Sequence, residues 1–298
     1  MSFSAQIKQE LCKAAIAKKC CAQAEAYGIL LFCSSFQSSG IRIVTESDAF
    51  AVRLPQLFKK AFQIEFDQLP AARSGKHVFF IHDPHKISLI GDAYGYDPRE
   101  SVALHINFGV LEEEHCRTAF FRGAFLAGGS VTDPDKGYHL EIVTSHYNVA
   151  RELPALLRES GFEPKSAGRK ANYVTYFKQS AYIEDFLTAI GSPVAAMGIM
   201  NAKAEKNLRG SINRRVNCEA ANLDKTVDAS MVQIEAIRTL EERGMMEQLP
   251  EKLKETAILR RENPELTLTQ LAALCDPPVT KSALNHRLRK LMSLAQQL

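Results

Sequence analysis

The sequence predicts an α+β domain made by duplicating an αββαββα unit, followed by an all-α domain that ends in a helix-turn-helix. Three observations carry this expectation. Related segments recur at a nearly constant offset within the first two hundred residues. Strand-type alternation stops after "GSPVAAMGIM". The last thirty residues then combine a short capped helix, a proline stop and a basic amphipathic helix. The expected boundaries are 1–202 for the duplicated domain, with repeats at about 20–95 and 112–192, then 203–225 for a helical linker, then 226–298 for the helical domain, with its helix-turn-helix at 267–296.

The bulk properties fit two ordinary domains. The chain has 298 residues, more than most single cores hold. A hydrophobic share of 46% with 24% charged residues argues against disorder. The longest apolar runs, such as "YGILLFC" (Tyr27 to Cys33), are too short to span a bilayer. "MSFSAQIKQELCKAAIAKK" lacks the apolar centre of a signal peptide. A cytoplasmic protein without membrane contact is expected. The seven cysteines are odd in number and form no C-x-x-C pair, and the eight histidines show no H-E-x-x-H spacing. They read as reduced thiols packed as small hydrophobes, with no disulfide, no structural metal and no cofactor. The pair Cys20–Cys21 suggests no role.

Charge is unevenly placed. Residues 1–202 hold 21 basic and 21 acidic side chains, whereas residues 203–298 hold 16 and 13, so the whole excess of +3 lies in the last third. A polyanion partner would be met there.

The repeat orders the elements of the first domain. "IVTESDAFAVRLP" (Ile43 to Pro55) and "IVTSHYNVARELP" (Ile142 to Pro154) match at an offset of 99. "YGILLFCSS" (Tyr27 to Ser35) and "RGAFLAGGS" (Arg122 to Ser130) match at 95. The difference falls in "SSG" against "DPDKG", both turn sequences, where insertions are tolerated. Each copy opens with a helix, Ala22 to Phe32 and Glu112 to Ala127. A hairpin follows, whose second strand alternates Ile41, Ile43 or Leu140, Ile142 on one face with Arg42, Val44 or Glu141, Val143 on the other. A second helix runs through each "LP" towards Phe62 or Ser160. A further strand pair is expected in "QIEFDQL" and "HVFFIH", and in "GFEPKSA" and "NYVTYFK", before a closing helix such as "SAYIEDFLTAI".

This doubled unit, with helices ending in a glycine-rich turn, resembles the LAGLIDADG homing-endonuclease fold. The resemblance implies that the two opening helices pack at a pseudo-twofold axis through Gly28 and Gly123, since glycine lets backbones meet. It also implies a pair of acids at the helix ends, holding the divalent ions for phosphodiester cleavage. The matching positions here are Cys33 and Gly128. Neither supplies the hard oxygen that Mg²⁺ requires. Asp133 and Asp135 lie nearby but in turn sequence, where an Asx cap is the ordinary role. No catalytic residue is assigned. With balanced charge and Arg42 and His139 mixed with Glu46 and Glu141, the exposed strand faces show no strong phosphate track.

In the last third, Val232, Ile234, Ile237 and Leu240 suit an amphipathic helix stopped by Gly244, and "NCEAANLDKT" is expected to interrupt helix between Asn217 and Lys225. "LPEKLKETAILRREN" gives the next helix, with Pro250 at its first turn. Thr267 with Gln270 forms a capping-box pattern, and Leu268, Leu271, Ala272 and Leu274 supply an apolar face. "DPP" stops that helix and Thr280 caps the last one. There Leu284, Leu288, Leu291 and Ala295 form the inner stripe. Ser282, Asn285, His286, Arg289 and Ser293 face away from it, flanked by Lys281, Arg287 and Lys290. Thr280, Lys281, Ser282, Asn285, His286, Arg287, Arg289 and Lys290 are thus the candidate DNA-binding residues, since Asn and Arg can pair bidentately with adenine and guanine edges and Lys suits phosphates.

Across essentially its full length, through "NRRVNCEAAN" (Asn213 to Asn222), "DKTVDAS" and "LTLTQLAALCDPPVTKSALNHRLRKL", the sequence resembles the WhiA family. The resemblance implies a non-catalytic regulator of double-stranded DNA at the nucleoid. Its biology is sporulation, cell division and chromosome segregation, with transcription or division proteins as further partners. Two other functions compete: a metal-dependent endonuclease, which would nick plasmid, and a protein-interaction scaffold, which would show no salt-dependent DNA affinity.

Overall fold

A computed structural model describes residues 1–70, 75–97 and 103–297. The chain separates into two compact units, Met1–Lys206 and Asn207–Leu298.

The first unit begins with α1 (Phe3–Leu11), whose start is capped by the Ser2 hydroxyl. The first repeat follows as α2 (Lys19–Phe32), β1 (Ser35–Gln37), β2 (Gly40–Thr45), α3 (Asp48–Phe62), β3 (His77–Ile81) and α4 (Pro84–Asp92). The second comprises α5 (Glu114–Gly128), β4 (Gly129–Val131), β5 (Leu140–Thr144), α6 (Tyr147–Glu159), β6 (Lys165–Arg169), β7 (Asn172–Phe177) and α7 (Ser180–Ile190). Its order is the expected αββαββα. Each repeat builds its own antiparallel sheet, β1-β2-β3 and β4-β5-β7-β6. The alternation acts as predicted: Ile41, Ile43, Leu140 and Ile142 are buried, while Arg42, Val44, Glu141 and Val143 are only partly covered.

The first repeat departs from expectation at "QIEFDQL". This segment forms no strand and touches the sheet at one isolated bridge, Gln68 to Phe80. Its backbone is diverted at both ends. Gln63 is left-handed, with φ 61°, and closes α3. The Asp67 carboxylate accepts the N–H groups of His82 (2.7 Å) and Asp83 (2.8 Å) and pairs with Lys86, tying the segment to the start of α4. In the second repeat the strand expected at "GFEPKSA" starts only at Lys165. Gly161 turns the chain at φ 86°, and Pro164 has no N–H to give a ladder.

α2 and α5 form the centre of this unit. At Gly28 a Cβ would lie 2.1 Å from the Phe120 carbonyl oxygen, and at Gly123 one would lie 2.0 Å from that of Glu25. The two helices therefore touch backbone to backbone. Glu25, 2% exposed, sits beside this contact and accepts from Arg53 Nε (2.6 Å), Arg53 Nη2 (2.8 Å) and Arg122 Nη1 (3.3 Å).

Helix α8 (Pro193–Glu242) begins in the first unit and ends in the second. It runs through Asn217–Lys225 without the expected interruption. Every side chain there is exposed, and helix formers such as Glu219, Ala220, Ala221 and Leu223, with the Arg215–Glu219 pair (3.2 Å), sustain it locally. In the second unit α8 is followed by α9 (Glu251–Glu262), α10 (Leu268–Ala273) and α11 (Lys281–Ala295), packed around Leu240, Leu253, Ala257, Leu271, Leu284 and Leu288. The inner stripe of α8 is Ser230, Gln233, Ile237 and Leu240, so Val232 points outward. Leu274 is also exposed, because α10 ends before it and Cys275 takes the inner position. Among the described residues no helix is long and apolar enough to cross a membrane.

Candidate nucleic-acid interface

Two places follow from the sequence: the carboxy-terminal ends of α2 and α5, and the outer face of α11. At the first, Cys33 ends α2 and Gly128 ends α5. The Cys33 thiol donates to the carbonyls of Leu30 and Ser35, both at 3.2 Å, and burial pushes its pKa up to about 12. It stays a neutral thiol there. At Gly128 a Cβ would meet the Val143 carbonyl oxygen at 2.5 Å, so no carboxylate fits without moving β5. Asp133 lies in the β4–β5 turn, where its carboxylate accepts the Asp135 N–H at 3.0 Å, the expected Asx cap.

The polar faces of the sheets are largely self-paired. Burial pushes the Glu141 carboxyl up, yet hydrogen bonds from Arg169 (2.9 Å) and His139 (3.3 Å) outweigh it and hold the group below the usual carboxylate range. Arg42 lies over the Phe80 ring and Lys178 over Tyr176.

The helix-turn-helix is built from caps and a tight turn. Thr267 and Gln270 make the full capping box at the start of α10. The Val279 N–H then returns to the Ala272 carbonyl at 3.0 Å. Thr280 caps α11 by accepting the Ala283 N–H at 3.2 Å, so its role is to set the helix start. Leu284, Leu288 and Leu291 are buried. This turns Lys281, Ser282, His286, Arg289 and Lys290 to solvent, with Asn285 half-covered beside them. Residues 267–298 carry four basic side chains against one acid, Asp276. Lys281 also shares a cleft with Lys225, Thr267 and Thr269, which adds a second cation beside the start of α11.

Arg287 is the exception. It turns inward to α9, donating to the Lys252 carbonyl (3.5 Å) and the Thr256 hydroxyl (3.4 Å) and pairing with Glu255 at 3.5 Å. Its guanidinium holds α11 on α9. Arg287→Ala is expected to cost about 1 kcal/mol of stability while DNA affinity stays near wild type. Paired thermal melts and gel shifts check this, and a large affinity loss with an unchanged melt would contradict it.

Family models match both parts of the chain: the WhiA LAGLIDADG-like domain over residues 117–209 and the WhiA C-terminal HTH domain over residues 212–295. The chain belongs to the WhiA family. A probable cell division protein WhiA of Ruminiclostridium cellulolyticum is 36% identical, the match covering 100% of this chain and 98% of the relative. Another, from Desulforamulus reducens, is 37% identical over 100% and 96%. Among solved structures, full-length WhiA of Thermotoga maritima aligns over 100% of this chain and 99% of its own, with TM-score 0.59 and 25% identity. In this WhiA-family chain the first unit thus has a LAGLIDADG-like fold and the second carries the helix-turn-helix.

One group of residues escaped the sequence reading. Cys20, Cys21, His115 and Cys116 come together at the amino-terminal ends of α2 and α5. Burial raises the thiols of Cys21 and Cys116, the latter to about 12. No C-x-x-C spacing announces the group. The signal was the repeat: its offset of 95 maps Cys20 onto His115 and Cys21 onto Cys116, as it maps Gly28 onto Gly123.

Proposed function

We propose that this chain is a non-catalytic, sequence-specific double-stranded DNA-binding protein, a transcription regulator of cell division, chromosome segregation and sporulation that works at the nucleoid. The observation that carries this is the outer face of α11, where Ser282, Asn285, His286 and Arg289 stand together between Lys281 and Lys290. A helix with this face can enter the major groove, Asn285 and Arg289 pairing with base edges and the lysines with phosphates. Its relatives from Ruminiclostridium cellulolyticum and Desulforamulus reducens are named probable cell division proteins. The ends of α2 and α5 support a role without cleavage, since Cys33 and Gly128 offer no hard ligand.

Genome-wide immunoprecipitation supplies the binding site, and gel shifts on that site test the reading. Asn285→Ala with Arg289→Ala should weaken specific binding at least about thirtyfold, each bidentate contact contributing about 1–3 kcal/mol. The melt should not move, and wild-type affinity should fall steeply with salt. Unchanged affinity in the double variant defeats the proposed role of α11. Nicking of supercoiled plasmid in Mg²⁺ or Mn²⁺ that disappears with Asp133→Asn or Asp135→Asn would replace it with the nuclease reading.

A further inference from the structure

The first turns of α2 and α5 bring four donor atoms, from Cys20, Cys21, His115 and Cys116, within 4.8 Å of one another. We propose that they bind one zinc ion in a closed Cys₃His site that clamps the amino-terminal ends of the paired helices.

The donor set comes first. Three thiolates and an imidazole form a tetrahedral structural zinc site, leaving no open position for catalysis. Spacing agrees. Zn–S bonds of about 2.3 Å and Zn–N bonds of about 2.0–2.1 Å place neighbouring ligand atoms about 3.5–3.8 Å apart. His115 Nδ1 already lies 3.4 Å from Cys21 Sγ and 3.2 Å from Cys116 Sγ. With all four donor atoms within 4.8 Å of one another, shifts of up to about 1 Å would centre an ion.

Hydrogen bonding explains the convergence less well. Both sulfurs approach the same ring nitrogen, which carries one proton at most. It can donate to one sulfur or accept from one. An ion accepts lone pairs from all of them together. The position favours bound thiolates as well, because the first turns of two helices present partial positive charge. A metal-bound thiol is deprotonated outright, so uptake releases protons. Cys20 is exposed and Cys116 buried, which gives an entry path and an anchored base.

The duplication gives the site its symmetry. Each repeat contributes two adjacent ligands, "CC" and "HC", at equivalent places. Cys33 and Gly128 end the same helices. The clamp is therefore separate from the positions where a homing endonuclease would hold its ions. It joins segments 95 residues apart in sequence, whose ends are otherwise costly to hold together.

Metal analysis of the untagged full-length chain, purified without chelator, tests this. One zinc per chain is expected, falling at least about tenfold in Cys116→Ser and in His115→Ala, and unchanged in Cys218→Ser. Cobalt exchange on the wild-type protein gives a test independent of variant folding: thiolate-to-cobalt charge transfer with tetrahedral d–d bands is expected. His115→Cys should keep the ion and strengthen the charge transfer. A folded wild-type chain with less than about a tenth of an equivalent of zinc and no cobalt spectrum overturns the proposal. A disulfide among Cys20, Cys21 and Cys116 in the freshly purified protein does so too.

Discussion

Glu25→Gln should destabilise the first unit by about 3–5 kcal/mol, because it leaves Arg53 and Arg122 facing a neutral group inside the core. Arg53 is 4% exposed and has committed its remaining nitrogen to the carbonyls of Cys12 (3.1 Å) and Ala14 (2.6 Å), so it cannot swing out to water. Arg122 is likewise held, its Nε donating to the Ile190 carbonyl at 2.7 Å. The substitution keeps the shape of the side chain but removes the charge and turns one accepting oxygen into an amide donor facing the guanidinium groups. For a unit of this size the loss corresponds to a fall in melting temperature of about 6–20 °C. Adding Arg53→Met removes one of the stranded charges and should recover part of the fall, since a buried pair replaced on both sides costs less than a pair broken on one. Calorimetry on the three proteins decides it. A single variant that melts with wild type would show that solvent or other groups neutralise the arginines.

Gly123→Ala should be nearly as damaging, although alanine is the better helix former by about 1 kcal/mol. The added Cβ would lie 2.0 Å from the Glu25 carbonyl oxygen and 3.1 Å from the Ile29 nitrogen, both backbone atoms of α2. Neither can rotate away. The helices must separate, and both are lined by fully buried residues such as Ala24, Ile29, Phe120 and Ala124. Overpacking of this kind costs about 1–3 kcal/mol and at times more. With direct backbone contact the net loss is set at about 2–3 kcal/mol, or about 4–12 °C. Gly198→Ala serves as the control. That glycine is also helical, but the nearest atom to its Cβ is in the Phe3 ring at 3.8 Å. Alanine there should be neutral or slightly stabilising. If both variants behave alike, the close approach at Gly123 has no energetic weight.

Where the sequence reading succeeded, the signal was local or repeated. Strand alternation placed Ile41, Ile43, Leu140 and Ile142 inward, and the spacing of Leu284, Leu288 and Leu291 set the inner stripe of α11. Caps at Thr267 and Thr280 marked the turn, since each binds a backbone N–H three residues away. Errors came where a local pattern had to compete with distant groups. The alternation of Ile64 and Phe66 is real, and both are buried, but Asp67 commits its segment to α4 rather than to the sheet. Arg287 carries the same charge as Arg289, two positions on, yet Glu255 lies within its reach and turns it inward.

The chain's sequence alone settled the duplication, the α+β class of its first part and the helix-turn-helix. Each is written in periodicity, caps or an offset between copies, which need no coordinates. Only the folded chain decided which cations face outward, that α8 continues through Asn217–Lys225, and that "CC" meets "HC" at one point. Those outcomes depend on distances between residues far apart in the chain. Such distances arise when two backbones pack so closely at Gly28 and Gly123 that neither position has room for a Cβ, and no pattern along a single strand or helix encodes them.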